Sequence, residues 1–253
     1  MRVTILGCGG SFGVPLIGGH WGACDPTNPK NRRRRVSILV EEGDTTLLVD
    51  TTPDMREQLL DADVKRVDAV LYTHAHADHS HGLNDLRALA HLMGRPIDIY
   101  GNAATLADLT TSFAYAFRTD ENAVYKRIVV AHEITGPLRL GGVDVVPFEQ
   151  DHGFGAKTLG FRFGRVAYST DVVELDDAAF RALEGVEIWI VDCLRFEPHP
   201  THAHFERTMS WIERVKPRRA VLTHMNQAMD YEEVRRRCPP GVEPGYDGMV
   251  LEV

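Results

Sequence analysis

The feature that most constrains this chain is a run of metal-binding side chains, Thr73-His74-Ala75-His76-Ala77-Asp78-His79, directly after the apolar segment Ala69 to Tyr72. Neutral imidazole and carboxylate groups are the ligands that zinc, manganese and iron sites prefer. Because the preceding segment reads as a strand, the run enters a loop at the strand's carboxyl end, where it can fold ligands around two adjacent metals. A chance His-x-His-x-Asp-His is expected in roughly two such chains per thousand. We therefore predict a metal site rather than a solvated polar loop.

Three later residues share this context, each following an apolar, strand-like run. His152 follows the run 143–148, Asp171 the run 166–169, and His224 the run 220–222. Any one of them alone would more often be a capping or core residue than a ligand. Together they place polar side chains along one edge of the predicted sheets, where a rigid scaffold can hold a site.

A site with these ligands has a definite chemistry. Two divalent ions about 3.5–4 Å apart can share a water, lower its pKa, direct hydroxide at an electrophile and stabilise the negative charge that develops. Seven ligands leave positions open for water and substrate, as a catalytic site requires. A second layer of carboxylates or carbonyls should orient the imidazoles, and Asp50 and Asp151 are the candidates.

The rest of the chain alternates short apolar runs with Gly, Asp and Pro, which predicts strands and interspersed helices. Strands are predicted at 3–6, 38–40, 46–49, 67–72, 97–100, 143–148, 159–163, 166–169, 187–191, 219–222 and 249–253. Helices are predicted at 53–62, 83–93, 103–117, 176–183, 204–215 and 231–237. This order favours sheets covered by helices, in an α/β or α+β layered arrangement. No segment reads as a linker, so residues 1–253 are predicted to form a single domain.

Composition limits the classes of function. Apolar residues make up 43% of the chain and charged residues 25%, both ordinary for a soluble globular protein. No apolar run approaches the ~20 residues of a membrane span, and no secretory signal precedes the first strand. The net charge of −8 disfavours broad binding to nucleic acid. We therefore expect a cytoplasmic protein with reduced thiols and no membrane partner.

Two local features are less decisive. The four cysteines, Cys8, Cys24, Cys193 and Cys238, form no Cys-x-x-Cys pair, and Cys193 is predicted to be a buried thiol. The basic run from Arg32 to Arg35 reads either as a solvated loop or as arginines that face an anionic substrate or brace the fold.

The motif His74-x-His76-x-Asp78-His79, followed by the three later residues, resembles the metallo-β-lactamase superfamily. The resemblance implies a four-layer αββα sandwich with the metals at one edge. It implies two ligand groups around one bridging carboxylate: His74, His76 and His152 for the first metal; Asp78, His79 and His224 for the second; Asp171 between them. Zinc and manganese both accept such ligands, so the sequence predicts two divalent ions of either kind.

Further segments are similar to the phosphodiesterase branch, especially the cyclic-phosphate phosphodiesterases of bacterial phosphonate breakdown, which is related to the tRNA 3′-end endonucleases. These segments are Gly7 to Pro15, Trp21 to Pro26, His81 to Arg87, Gln150 to Gly153, Tyr168 to Asp171 and Pro198 to His202. This likeness implies hydrolysis of a small cyclic or nucleotide-like phosphate through a metal-bridging hydroxide.

The same likeness assigns His202 to the substrate phosphate, as a ligand of a nonbridging oxygen or as the acid that protonates the leaving oxygen. His204 is the second candidate for contact with substrate, and Asp78 is counted with His202 among the catalytic residues. The alternative is that this His-rich stretch is only the first turn of the following helix.

The chain departs from this branch near the N-terminus. The phosphonate-pathway enzymes carry a structural zinc on clustered cysteines, whereas here Cys24 stands alone in that region alongside His20. This departure weakens the expectation of an extra zinc and of an identical substrate. No long insertion of the kind that a tRNA-clamping arm needs separates the metal motifs, which disfavours tRNA as a partner. The resemblance also suggests a homodimer.

Two other functions fit the ligands. Hydroxide attacks a carbonyl as well as phosphorus, so an acyl hydrolase such as a thioesterase or lactonase is an alternative. A noncatalytic nucleotide-binding relative is the other, although no ligand position is missing. A nucleophilic Cys8 or Cys24 is a minor option, since neither lies in a Cys-His motif.

Overall fold

Two seven-stranded sheets form the centre of the computed structural model, which describes residues 1–119 and 126–253. The first sheet contains, in spatial order, β14 (Val250–Glu252), β1 (Arg2–Gly7), β2 (Ser37–Glu42), β3 (Thr45–Val49), β4 (Ala69–Leu71), β5 (Ile97–Gly101) and β6 (Val129–Glu133). The second contains β13 (Val242–Pro244), β12 (Arg219–Thr223), β11 (Ile188–Asp192), β10 (Val166–Ser169), β9 (Ala156–Phe163), β8 (Val143–Gly153) and β7 (Leu138–Leu140).

Helices cover the outer faces of both sheets. They are α1 (Met55–Asp61), α3 (Leu86–Met93), α4 (Ala103–Ser112), α5 (Asp177–Ala182), α6 (Phe205–Val215) and α7 (Tyr231–Arg237), whereas the single-turn α2 (Ala77–Ser80) lies at the edge of the sandwich. Short 3-10 turns occur at Pro29–Asn31, Leu83–Asp85 and Ala114–Phe117. The predicted four-layer αββα sandwich is confirmed.

The alternation of side chains along the strands explains the layers. In β3, Leu47 and Val49 pack in the core between the sheets, whereas Leu48 packs in a second core with Met55 of α1 and Leu89 of α3. Successive strand residues point to opposite faces, so an uninterrupted apolar run buries both faces of its sheet. The short continuous apolar runs of the sequence therefore become central strands.

Strand direction places the polar residues. Strands β3 to β6 are mutually parallel, as are β10 to β13, so their carboxyl ends lie at common edges. Asp50 follows β3, His74 follows β4 by three residues, Asp171 follows β10, and His224 follows β12. This topology brings residues from distant parts of the sequence to one rim of the sandwich.

Several predicted boundaries were wrong. The segment predicted as one helix over 103–117 ends at Ser112 and continues as a separate 3-10 turn. β6, β7 and β13 were not predicted, because these short edge strands contain charged or polar residues that interrupt or end their apolar runs. β8 continues to Gly153, so His152 lies within a strand rather than after it.

No helix in the described part of the chain is long and apolar enough to cross a membrane.

The basic run braces the fold. Arg33 is only 2% exposed; its Nη1 donates to the carbonyl of Asn226 at 3.4 Å, and its Nη2 to Oδ1 of Asn31 at 3.3 Å. Arg35 pairs with Asp54 at 3.2 Å. A buried guanidinium needs such partners, so the solvated-loop interpretation is wrong for these two residues, and the bracing interpretation holds.

Candidate metal centre

The first group of ligands opens toward solvent. The ligand atoms of His74, His76, His152 and Asp171 lie within 4.8 Å of one another. Nε2 of His74 is 3.8 Å and Nε2 of His152 is 3.7 Å from Oδ2 of Asp171. His76 is the exposed member at the rim, whereas the other three are buried.

The second group shares Asp171 and lies deeper. Its members are Asp78, His79, Asp171 and His224. Nε2 of His79 is 3.0 Å and Nε2 of His224 is 3.4 Å from Oδ1 of Asp171. Oδ2 of Asp78 is 3.4 Å from Nε2 of His79. Asp171 thus turns one carboxylate oxygen to each group, which is the arrangement of a bridging ligand.

Unpaired buried atoms test whether cations fit here. Nε2 of His74, His79 and His224 and Oδ2 of Asp78 are buried and have no hydrogen-bond partner within residues 1–119 and 126–253. A buried polar atom without a partner costs about 1–3 kcal/mol, so a concentration of them needs an explanation. Imidazole nitrogens and carboxylate oxygens that converge in this way suit divalent cations such as zinc or manganese. The residues fit two such ions.

The backbone is strained at this edge. Asp50, Asp171 and His224 have φ values of 64°, 54° and 58°, in the left-handed region that residues other than glycine rarely adopt. Asp50 and His224 directly follow a strand, and Asp171 follows one after a single residue, so the chain turns sharply at all three strand ends. Such conformations persist only where the surrounding structure enforces them, and they concentrate at functional sites.

Hydrogen bonds from outside the two groups orient the imidazoles. Oδ2 of Asp50 is 2.7 Å from Nδ1 of His79, and the hydroxyl of Thr73 donates to the same carboxylate at 2.8 Å. Nδ1 of His152 donates to the carbonyl of Thr201 at 2.8 Å. These bonds fix the ring so that Nε2 faces the cluster. Asp151 instead accepts a hydrogen bond from the amide of Gly153. Of the two candidate carboxylates, Asp50 is therefore the one that contacts an imidazole of the ligand groups.

His202 stands beside the second group. Its Nδ1 is 3.2 Å from Oδ2 of Asp192 and 3.9 Å from Oδ2 of Asp171, and its ring stacks on His224 with centroids 4.6 Å apart. With Nδ1 directed to Asp192, Nε2 is the nitrogen left to approach a substrate. His204 is the N-cap residue directly before α6, and it belongs to neither ligand group of the described residues.

Asp192 was missed by the sequence reasoning. It is fully buried at the end of β11, where the amide of Val172 donates to its Oδ2 at 3.0 Å. The signal was present, since Asp192 ends an apolar run as Asp171 and His224 do. It orients His202, whose position depends on this carboxylate.

Charge and burial compete across the centre. Burial opposes ionisation of Asp171, yet the imidazoles of His224 and His79 hold the pKa of this carboxyl well below its usual range. Burial lowers the pKa of His74 well below the ordinary value, so its ring is neutral and free to coordinate. Burial also disfavours the charged form of His202, but Asp192 and Asp171 outweigh it and raise the pKa of His202 to about 9.

Two cavities flank the ligands. A cleft of about 620 Å³ borders the first group and includes His76, Asn102, Thr105, His152 and Lys157 in its lining. A smaller pocket of about 320 Å³ lies on the other side, beside His202. Each is within the ~300–1,000 Å³ range of small-molecule sites.

The thiols take no part in this centre. Cys193 is buried, as predicted, and so are Cys8 and Cys24. Burial raises the pKa of Cys8 and Cys24, which makes both poor nucleophiles. Sγ of Cys24 faces Nη1 of Arg33 at 3.9 Å, and the candidate metal groups of the described residues include neither Cys24 nor His20. A cation beside the sulfur argues against the extra structural zinc.

Residues 45–225 match the β-lactamase superfamily domain, and the chain therefore belongs to this superfamily. It is similar to the crystal structure of a new diphosphatase from the PhnP family, with 36% identity and a TM-score of 0.91, covering 100% of this chain and 97% of that one. These matches show the metallo-β-lactamase fold, and the converging histidines and aspartates form its candidate metal centre.

Two curated relatives are similar over different lengths. An octanoyltransferase of Porphyromonas gingivalis is 30% identical over 255 residues, covering 98% of this chain and 51% of that protein. A ribonuclease Z of Methanopyrus kandleri is 30% identical over 128 residues, covering 49% of this chain and 43% of that protein. The chain thus spans about half the length, or less, of these relatives.

Proposed function

We propose that this chain is a dinuclear-metal phosphodiesterase that acts on a small cyclic or nucleotide-like phosphate. The observation that carries the proposal is His202, a buried imidazole held by two carboxylates directly beside the predicted metal ligands. A cationic hydrogen-bond donor at this place suits a phosphoryl group, whose oxygens carry negative charge during transfer. The likeness to a PhnP-family diphosphatase supports the same class of substrate.

Each side chain of the two ligand groups has one proposed role in metal binding. His74, His76 and His152 would hold one cation, Asp78, His79 and His224 the other, and Asp171 would bridge them. Two divalent cations, when bound, lower the pKa of water and offset the negative charge of the transferring phosphoryl group. Zinc and manganese both suit this ligand set, and metal availability decides between them.

His202 supplies the proton chemistry. Its Nδ1–H donates to Asp192, which leaves Nε2–H to bind a nonbridging phosphate oxygen or to protonate the leaving oxygen. Asp192 keeps the ring oriented and stabilises its protonated form, as carboxylates do for catalytic histidines. His204 remains the second candidate for substrate contact.

An acyl hydrolase is the second candidate function. The same ligands would serve carbonyl substrates, and the octanoyltransferase relative carries an acyl-transfer name. That relative is about twice as long as this chain, so the name applies to a protein of which this chain matches half. A noncatalytic nucleotide-binding role is weakened because the structure brings all seven predicted ligands together.

We also propose a domain organisation, a location, an oligomeric state and a substrate class for the whole protein. A single domain, a cytoplasmic location, a homodimer and a substrate other than tRNA remain expectations from the sequence. The net charge of −8 supports a small substrate over tRNA, because polyanion binding needs a basic surface.

Metal content of the purified protein, with activity before and after chelation, tests the proposal. We expect about two metals per chain, and hydrolysis of bis(p-nitrophenyl) phosphate that is lost on chelation and restored by zinc or manganese. Faster hydrolysis of p-nitrophenyl acetate than of the phosphodiester would favour the acyl alternative. Protein that binds neither zinc nor manganese when each is supplied would overturn the ligand assignment.

A further inference from the structure

The pocket beside His202 shares a wall with the metal centre. Gly10 packs so closely there that a Cβ on it would lie 3.7 Å from Cε1 of His224 and 3.3 Å from Cδ1 of Leu194. Gly10, Leu194 and His202 all line the pocket. A group bound in the pocket is therefore next to any phosphate that His202 contacts.

The lining combines apolar surface with hydrogen-bonding groups. Phe12, Leu16 and Leu194 provide the apolar part, and Asn226 and Gln227 are the amide-bearing residues of the lining. Oδ1 of Asn226 accepts a hydrogen bond from the amide of Ala228 at 2.8 Å. Phe12 lines the pocket yet is 74% exposed, so most of its ring is available to a ligand. Aromatic rings displayed in this way stack on planar bases, whereas amides pair with polar edges.

His199 adds a donor of defined orientation. The amide of Thr201 donates to Nδ1 of His199 at 3.3 Å. Nδ1 must therefore act as an acceptor, which places the proton of the neutral ring on Nε2. His199 lines the pocket, and its ring centroid is 5.2 Å from that of His202.

We propose that this pocket binds the nucleoside part of the substrate, with the base stacked on Phe12 and polar edges met by His199, Asn226 and Gln227. This inference rests on the proposed phosphodiesterase function and names its substrate class. The pocket's mixed lining and its continuity with His202 favour a small ligand over a second copy of the chain, which would need a broad apolar face.

The cleft beside His76 and His152 differs from this pocket in its lining. Its lining is rich in histidine, threonine and small residues and contains no aromatic ring other than imidazole among the described residues. Phe154 lies next to that cleft, 89% exposed, but outside the pocket. Phe154→Ala is therefore a matched control, since it removes a phenyl group that is even more exposed than that of Phe12.

Calorimetric titration of the metal-loaded protein with adenosine 5′-monophosphate and with ribose 5-phosphate tests the inference. The two probes share the phosphate and ribose, and only the first carries a base. We expect the nucleotide to bind at least about tenfold more tightly, within the range measured for base stacking. Phe12→Ala should bring the two dissociation constants together, whereas Phe12→Trp and Phe154→Ala should keep them apart.

The possible results distinguish failure of the nucleoside pocket from failure of the proposed phosphodiesterase function. Equal binding of the two probes by the wild-type protein, or a preference that survives Phe12→Ala, would overturn the nucleoside pocket. Loss of the preference in Phe154→Ala as well would also overturn it, because the effect would then not be local. Hydrolysis of bis(p-nitrophenyl) phosphate by the same preparation reports separately on the phosphodiesterase function.

Discussion

The two ligand groups share Asp171 but differ in charge and burial. The first has three imidazoles around that carboxylate, and exposed His76 opens it to a cleft of about 620 Å³. The second has two carboxylates and two imidazoles, and His79 is further flanked by Asp50, so it is more negative and more deeply buried. Greater negative charge and poorer solvent access both slow the loss of a cation. We therefore expect the first group to exchange its metal and the second to retain it.

Removing one ligand from each group gives the largest effect. His76→Ala should lose one of two metals, whereas His79→Ala should lose its metal and also weaken the other, because Asp171 then loses a buried partner. Either change should lower phosphodiesterase turnover by about 10³-fold or more, since bound metals contribute several kcal/mol. Elemental analysis after dialysis measures the stoichiometry. Equal metal loss in the two variants would contradict the asymmetry.

His202→Ala should lower turnover without changing metal content. His202 contacts Asp171 from outside both ligand groups, so both metals should stay while phosphodiester hydrolysis falls by about 10²–10⁴-fold, the usual contribution of a general acid. Steady-state kinetics beside metal analysis separates the two effects. Full activity of this variant on the true substrate would show that the role assigned to His202 is wrong.

Asp50→Asn should affect the second group more than the first, because Asp50 reaches His74 of the first group only through the hydroxyl of Thr73. The change removes the carboxylate that faces Nδ1 of His79 at 2.7 Å, and loss of such partners costs about 10–100-fold in metal affinity. Asp151→Asn is the matched control, because Asp151 contacts Gly153 and Lys157 rather than an imidazole. Competition with a chelator gives both affinities. An effect of equal size in the control would refute the orienting role of Asp50.

Asp247 is a buried carboxyl that no imidazole of the described residues faces, and its effect is expected in the stability of the fold rather than in turnover. Burial raises its pKa to about 7 from the ordinary 3.8, opposite in direction to Asp171. Between these values the folded chain binds more protons than the unfolded chain, so stability falls as pH rises through the window. The loss is about 1 kcal/mol per pH unit.

Asp247→Asn should remove this contribution. Urea unfolding from pH 4.5 to 7.5, with chelator present so that metal release does not contribute, should give a flatter profile for the variant than for the wild type. The amide oxygen of the variant can still accept the hydrogen bond from the amide of Cys8, whereas the bond from the amide of Arg34 is lost. That loss lowers stability at every pH and leaves the slope of the profile as the readout. An unchanged pH dependence would show that Asp247 does not titrate in this range.

Much of the fold followed from apolar periodicity. The predicted strand 166–169 and helix 231–237 match the structure to the residue, because both combine a strong pattern with clear ends. The edge strand Val129–Glu133 was missed since its second half reads Ala-His-Glu, which resembles a loop. An edge strand has one paired side only and needs no apolar run, so composition alone cannot identify it.

Part of the candidate site could likewise be predicted from the sequence, and part could not. The sequence could predict which imidazoles and carboxylates lie together, because such residues after strands are a recognisable pattern and parallel strands bring their ends together. The buried state of Arg33 could not, because it depends on packing against Asn226, far away in sequence. The contact between Asp192 and His202 could not either, because it depends on how the loop between β11 and α6 folds back. The choice between His202 and His204 rested on resemblance, and geometry separates them because only His202 reaches Asp171.

The left-handed backbone at Asp50, Asp171 and His224 limits how this centre can be transplanted. Copying the seven ligand identities onto another sandwich would leave their rings misdirected unless the host also bends sharply at the same three strand ends. Aspartate and asparagine tolerate that bend better than most residues, whereas a β-branched residue there would add strain to the loss of a ligand. Engineers would therefore have to graft the turns before the ligands.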